Sequence, residues 1–208
     1  MPDVLILRHA QSTWNAEGRW QGQADPPLTP HGECQARMAA RRLSSEEPFD
    51  LVVSSDLSRA VQTAALMNTE LGAGAPHEIE SSLREYDVGA WSGHTREEIE
   101  AKWPGYLDRF SQGQLDFPPG GEPRAQFDER VAEAGRWVAA RAQVRGSQRV
   151  LVVSHGGVVR SLARLAGQPE TRTGHLAGYR GNITAGVLFP TDTLDLLVGE
   201  DDASGASL

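Results

Sequence analysis

Apolar positions fall along this chain in short unbroken runs separated by longer stretches of helical period. Val4-Leu-Ile-Leu7, Leu51-Val-Val53 and Val150-Leu-Val-Val153 are continuous and mostly β-branched, and each ends in polar residues. Runs of that length and composition predict strands buried on both faces. Helical spacing follows. Ala60, Val61, Ala64, Ala65 and Leu71 place an apolar stripe on a helix over 59–71, and a second helix runs from Val158 to Leu165. Thr29 followed by Pro30 predicts a cap and first turn for a helix reaching Leu43. Further helices are expected over 95–102 and 123–145, the latter with Val131, Ala134 and Val138 on one stripe. A short strand is expected over 77–80, and a terminal hairpin from 185–189 and 194–198, turning at Pro190-Thr191-Asp192.

Strands alternating with helices predict an α/β fold, a three-layer α/β/α sandwich around a mostly parallel sheet. Residues 103–121 show no period and carry Pro104, Gly105, Pro118, Pro119, Gly120 and Gly121. They are read, with their flanks, as a lid-like excursion over 94–122 within a single domain spanning 1–200. The acidic, small-residue stretch 201–208 is expected to be a disordered tail.

Composition narrows the function. The formal net charge is -8, from 20 Lys and Arg against 28 Asp and Glu. This argues against a nucleic-acid partner, whose phosphates demand clustered cations. A small phosphorylated metabolite remains possible, because a few local arginines outweigh distant acids. Cys34 is the sole cysteine, which excludes an internal disulfide and a Cys-rich zinc site. The apolar run at 4–7 passes straight into Arg8-His9, unlike a leader or a membrane span. A cytoplasmic protein with no membrane partner, monomeric or homodimeric, is the expectation.

In a parallel α/β sheet, ligands bind beyond the carboxyl ends of the strands. Four residues stand there: Arg8, His9, Arg59 and His155. A guanidinium fork matches phosphate oxygens, one neutral imidazole can attack phosphorus, and another can donate to the transferred group. The departing alkoxide needs a proton, and Glu85, in Leu83-Arg84-Glu85-Tyr86, is the candidate acid. Metal ligation by His9 and His155 is disfavoured, because their neighbours are arginines rather than carboxylates.

Four motifs then stand in order: Leu7-Arg-His-Ala-Gln-Ser-Thr13 with Asn15; Ser54-Ser-Asp-Leu-Ser-Arg-Ala60 with Gln62-Thr-Ala64; Leu83-Arg-Glu85 with Gly89, Trp91 and Gly93; and Val153-Ser-His-Gly-Gly157. Together they resemble the histidine phosphatase superfamily, which includes the cofactor-dependent phosphoglycerate mutases. The resemblance implies a nucleophilic His9 that becomes phosphorylated, with Arg8, Arg59 and His155 completing the phosphate pocket. It also implies Glu85 as proton donor, Asn15 and the Gly156 N–H as further phosphate donors, and Gln21-Gly22 near the substrate. Neither a metal nor another cofactor is implied. Ala10 stands where many relatives have glycine.

Glu85 and His155 lie 70 positions apart, and residues 94–122 offer Arg96, Lys102 and Arg109 without an Arg-Arg pair. Mutases of this family carry a longer basic insertion there, whereas Pro118-Pro-Gly-Gly-Glu122 resembles the short phosphatase branch. A metal-independent phosphatase acting on small phosphate monoesters is therefore expected. The alternatives are a cofactor-dependent phosphoglycerate mutase or a non-catalytic phosphate-binding module. His31, His77, His94 and His175 are read as surface residues. Cys34 is read as a small buried hydrophobe, Trp91 and Trp103 as core, and Arg160 with Arg164 as a solvated helix face.

Overall fold

A computed structural model describes residues 1–72, 74–168, 173–184 and 187–198. The three continuous apolar runs form β1 (Asp3–Arg8), β2 (Leu51–Ser54) and β4 (Arg149–Ser154), with β3 at His77–Ile79 and a terminal pair, β5 (Ala177–Thr184) and β6 (Val187–Asp195). They build a six-stranded sheet in the order β3-β2-β4-β1-β5-β6. The pairings β3-β2, β2-β4 and β4-β1 are parallel. β5 and β6 add an antiparallel edge.

Each central strand is buried on both faces because its alternate residues feed two cores. Val4, Ile6, Val53, Val150 and Val152 point to one side, where Val131, Ala134 and Val138 of α6 (Arg124–Arg145) meet them with residues of α7 (Gly156–Leu165). Leu5, Leu7, Val52, Leu151 and Val153 point to the other, against α2 (Pro30–Leu43) and α3 (Ser58–Leu71). Each fully buried Leu or Val contributes about 1.5–3 kcal/mol relative to exposure. A period-2 strand in this sheet must therefore be apolar at every position. This is the three-layer arrangement expected. As its Thr-Pro start requires, α2 begins with Thr29 Oγ1 accepting from the Gly32 N–H at 2.9 Å.

Several expectations change. The terminal hairpin is real but shifted: its strands end at Thr184 and resume at Val187, and Ala185 lies outside the described residues. Pro190, Thr191 and Asp192 sit inside β6 rather than at the turn. β6 is an edge strand, where a missing N–H is tolerated, and the register shifts between Arg180 and Gly181, opposite Pro190. The excursion contains two short helices, α4 (Arg96–Lys102) and α5 (Tyr106–Ser111), of which the second was not anticipated. A four-residue helix, α1 (Thr13–Ala16), carries the end of the first motif. Cys34 is exposed rather than buried. Trp91 is fully buried and Trp103 packs against the same core. The segment 201–208 lies outside the described residues. No helix among the described residues is long and apolar enough to cross a membrane.

Candidate active site

The carboxyl ends of β1, β2 and β4 converge, and the sequence-predicted residues converge with them. His9 follows β1 and its backbone N–H donates to Ser154 O on β4 at 2.9 Å. His155 caps the start of α7. The two rings meet edge to face with centroids 5.2 Å apart. Arg59 enters from the first turn of α3, and Thr63, one turn on, accepts from the Ala10 N–H at 3.1 Å while donating to Arg59 O at 2.7 Å. That bond fixes α3 against the His9 loop.

The tautomer of His9 is set by its own backbone. Nδ1 lies 2.6 Å from the Ala10 carbonyl, which can only accept, so Nδ1 carries the proton and Nε2 keeps its lone pair. Burial holds the His9 pKa well below its ordinary value, reinforced by Arg59, His155 and Arg8. His9 is thus neutral at pH 7, as a nucleophile must be. Burial, with Arg59, Arg8 and Arg130, depresses His155 in the same direction.

Three polar atoms here are buried without a protein partner: Arg59 Nε and both ring nitrogens of His155. Leaving such atoms unsatisfied costs about 1–3 kcal/mol each, so a site that keeps them is built for a ligand rich in hydrogen-bonding oxygens. Arg59 is fully buried, and burial brings its pKa down to about 10, still cationic at neutral pH. Its outer nitrogens donate to Gly22 O at 2.8 Å and Ala24 O at 2.7 Å, which aim the fork. Gly22 therefore meets Arg59 through its carbonyl. It adopts φ +50, and a Cβ there would lie 2.7 Å from Val88 Cγ2.

Asn15 and Gln21 are joined through Ser12. Ser12 N–H donates to Asn15 Oδ1 at 3.1 Å, and Ser12 Oγ lies 2.9 Å from the same atom and 2.8 Å from Gln21 Oε1. With its Oδ1 engaged in this capping box, Asn15 has its amide N–H to offer an anion. α7 opens on the site with its first-turn N–H groups, a setting that favours negative charge. Gly156 N–H is one of them. The next, Gly157 N–H, donates to Glu85 Oε2 at 3.1 Å, and Tyr86 N–H donates to Glu85 Oε1 at 2.8 Å. A Cβ on Gly157 would fall 2.2 Å from Glu85 Oε1. Only glycine lets the carboxylate come this close.

His175 is a correction to the sequence reading. It is 1% exposed, its ring centroid lies 6.3 Å from that of His9, and burial with Arg8 lowers its pKa to about 3. Its loop is tied to the first motif: Arg8 Nη1 donates to Thr173 O at 2.8 Å and Leu176 N–H to Arg8 O at 3.0 Å. Leu176, at φ +53, is the one non-glycine residue with positive φ among those described. His77 and His94 are half-buried rather than on the surface, bonded to Ser54 Oγ and Ser92 O; His31 is exposed. Arg160 and Arg164 are half-buried, and Arg164 pairs with Asp128.

The three cations of the excursion each meet a partner within it. Arg96 faces Asp108 at 3.6 Å, Lys102 Nζ reaches His94 Nε2 at 2.5 Å, and Arg109 lies 5.5 Å over the Tyr106 ring. Arg84, beside Glu85, is forked onto Asp56 at 2.8 and 2.6 Å.

Known proteins share both the sequence and the arrangement. A glucosyl-3-phosphoglycerate phosphatase from Mycolicibacterium vanbaalenii is 38% identical over 80% of this chain and 75% of its own. A 2,3-bisphosphoglycerate-dependent phosphoglycerate mutase from Methylobacterium radiotolerans is 36% identical over 76% of each chain. The solved alpha-ribazole phosphatase from Shigella flexneri superimposes with a TM-score of 0.75 at 26% identity, covering 96% of this chain and 99% of its own. The profile of the histidine phosphatase superfamily (branch 1) matches residues 4–185. With its motifs carried on this sheet and that match spanning most of its length, the chain belongs to the histidine phosphatase superfamily.

Proposed function

We propose that this protein hydrolyses small phosphate monoesters through a phosphohistidine on His9, using no metal ion. The observation that carries the reading is the neutral His9 with Nδ1 committed to Ala10 O, set among Arg8, Arg59 and His155. Nε2 attacks phosphorus as the P–O bond to the alcohol breaks, the electron pair leaving on the alcohol oxygen. The two guanidinium groups and the His155 ring take the negative charge on the phosphoryl oxygens, where buried preorganised donors are strongest. Glu85 passes a proton to the departing alkoxide. The resulting carboxylate then takes a proton from water as it attacks the phosphohistidine, releasing phosphate and restoring His9. Asn15 and Gly156 N–H are assigned to the phosphoryl oxygens, Gln21 and Gly22 to holding Ser12 and Arg59.

Hydrolysis is favoured over isomerisation because a mutase must retain a second anionic group of its substrate. Among the described residues, Arg84, Arg96, Lys102 and Arg109 are each already engaged. Two imidazoles flanked by guanidinium groups also form a poor cation site. The partner is then a small phosphorylated metabolite, and a cytoplasmic location fits such a substrate. Quenching during turnover should trap an acid-labile, base-stable phosphate on His9. His9→Ala should lose that adduct and several powers of ten in turnover; near-normal turnover would refute the mechanism.

A further inference from the structure

Glu85 lies on a loop, and loops hold side chains less firmly than strands or helices do. Its carboxylate is fixed from the front by Gly157 and Tyr86, and its backbone is held from behind by Arg130 on α6. Arg130 Nη1 donates to Ser82 O at 2.9 Å and Arg84 O at 2.8 Å, and Nη2 reaches Glu85 O at 3.3 Å. One guanidinium thus collects three carbonyls of a single turn. The same group forms a fork with Glu122, Nε to Oε1 at 2.9 Å and Nη2 to Oε2 at 2.7 Å. Phe127 lies under it at 5.1 Å.

Glu122 is anchored in turn. Its N–H donates to Asp87 O at 3.0 Å, and its Oε2 accepts from Asp87 N–H at 3.4 Å. The residues before it lie tightly on the Gly89 turn, where an added Cβ would stand 2.4 Å from Gly121 N and from Pro119 O. Arg130 therefore joins the acid loop, the end of the excursion and α6. A general acid must sit within hydrogen-bond reach of the leaving oxygen, and displacement by 1 Å costs on the order of 100-fold in rate.

We propose that Arg130, oriented by Glu122, is the positioning residue that holds Glu85 at the leaving-group oxygen, so that the enzyme's ability to expel basic alkoxides depends on this pair. The proposal rests on Glu85 being the proton donor. The donors of the phosphate pocket itself come from β1, α1, α3 and α7, and Arg130 reaches that pocket only through its charge on His155.

The test compares single-turnover phosphorylation of His9 by an alkyl phosphate and by p-nitrophenyl phosphate in wild type, Arg130→Met, Arg130→Lys, Glu122→Gln and Glu85→Gln. Met retains an apolar stem over Phe127, and Lys retains charge without a fork. Arg130→Met should slow the alkyl ester about 10- to 100-fold, leave the aryl ester within about twofold because nitrophenolate leaves unaided, and leave inhibition by vanadate unchanged. Arg130→Lys should fail to restore the alkyl rate, and Glu122→Gln should shift the alkyl-to-aryl ratio in the same direction by less. That ratio is independent of the fraction of protein that folds. Equal losses for both esters in the Arg130 variants, or weakened vanadate inhibition in parallel, would overturn the proposal. If Glu85→Gln itself left the ratio unchanged, Glu85 would not be the acid and both readings would fall. A ratio altered by Glu85→Gln but not by the Arg130 or Glu122 variants would overturn only the positioning role.

Discussion

Three buried neutral imidazoles in one pocket make the ligand-free protein sensitive to mild acid. His9 and His155 are held well below the ordinary histidine value, foremost by burial, and His175 is brought to about 3. Unfolding returns each to a pKa of about 6.5. Between those values the unfolded chain binds more protons than the folded one. Stability is therefore fully present above the unfolded pKa and falls as pH drops below it. Integrated from pH 7.5 to 5.5, each group contributes on the order of 1 kcal/mol and the three together a few kcal/mol, a large part of a typical total of about 5–15 kcal/mol. The acids held low by arginine partners, among them Asp56, Glu46 and Glu78, lose their contribution only below about pH 5, so this window isolates the histidines. Urea unfolding across it, in buffer without phosphate or sulfate, should show the loss. His155→Asn should reduce the loss while leaving the slope's direction intact, with half-buried His77 adding to the same slope. A flat profile in the wild type, or an unchanged slope in His155→Asn, would refute the assignment of neutral buried rings.

Other outcomes follow from the same geometry. Gly157→Ala should displace the Glu85 carboxylate, because its Cβ would fall 2.2 Å from Oε1; turnover of alkyl phosphates should drop on the order of 100-fold, and a near-normal rate would show that Glu85 works from another position. Activity should survive EDTA and be inhibited by vanadate, whereas loss with EDTA and recovery with zinc, magnesium or manganese would contradict the metal-free mechanism. With 3-phosphoglycerate and added 2,3-bisphosphoglycerate, phosphate release should exceed isomerisation; mutase turnover equal to the best phosphatase turnover would reverse the branch assignment.

Most of the scaffold was legible because the central strands leave nothing ambiguous. Residues 4–7, 51–53 and 150–153 are apolar at both parities, which only a two-sided burial explains. Arg8-His9, Arg59 and His155 sit where those strands end, so the convergence of these residues was legible in the sequence. What escaped were contacts made through backbone carbonyls. His175 belongs to no periodic segment, and its burial follows from Thr173 and Leu176 bonding to Arg8, over 160 positions away. Arg130 looks like one more surface arginine of α6, and three of its acceptors are main-chain oxygens that carry no residue signature. The Pro190-Thr191-Asp192 triplet misled for a related reason. Its residue types signal a turn, but an edge strand beside an irregular register at Gly181 accommodates them.

The pocket's expected acid sensitivity and its proposed affinity for phosphate would have one origin. Burial, reinforced by Arg59 and Arg8, keeps the imidazoles neutral, and the same burial loosens Arg59's hold on its own proton. A dianion placed among them reverses each of these interactions. It supplies an acceptor for Arg59 Nε and for the N–H of His155, offsets the guanidinium charge, and makes a protonated ring less costly. Phosphate should therefore bind with proton uptake and stabilise the fold most at mildly acidic pH. The net charge of -8 does not oppose this, because the groups that meet the ligand are buried close to it and the acids are screened beyond about 8–10 Å. A chain acidic overall can thus hold a site whose resting state is incomplete without an anion.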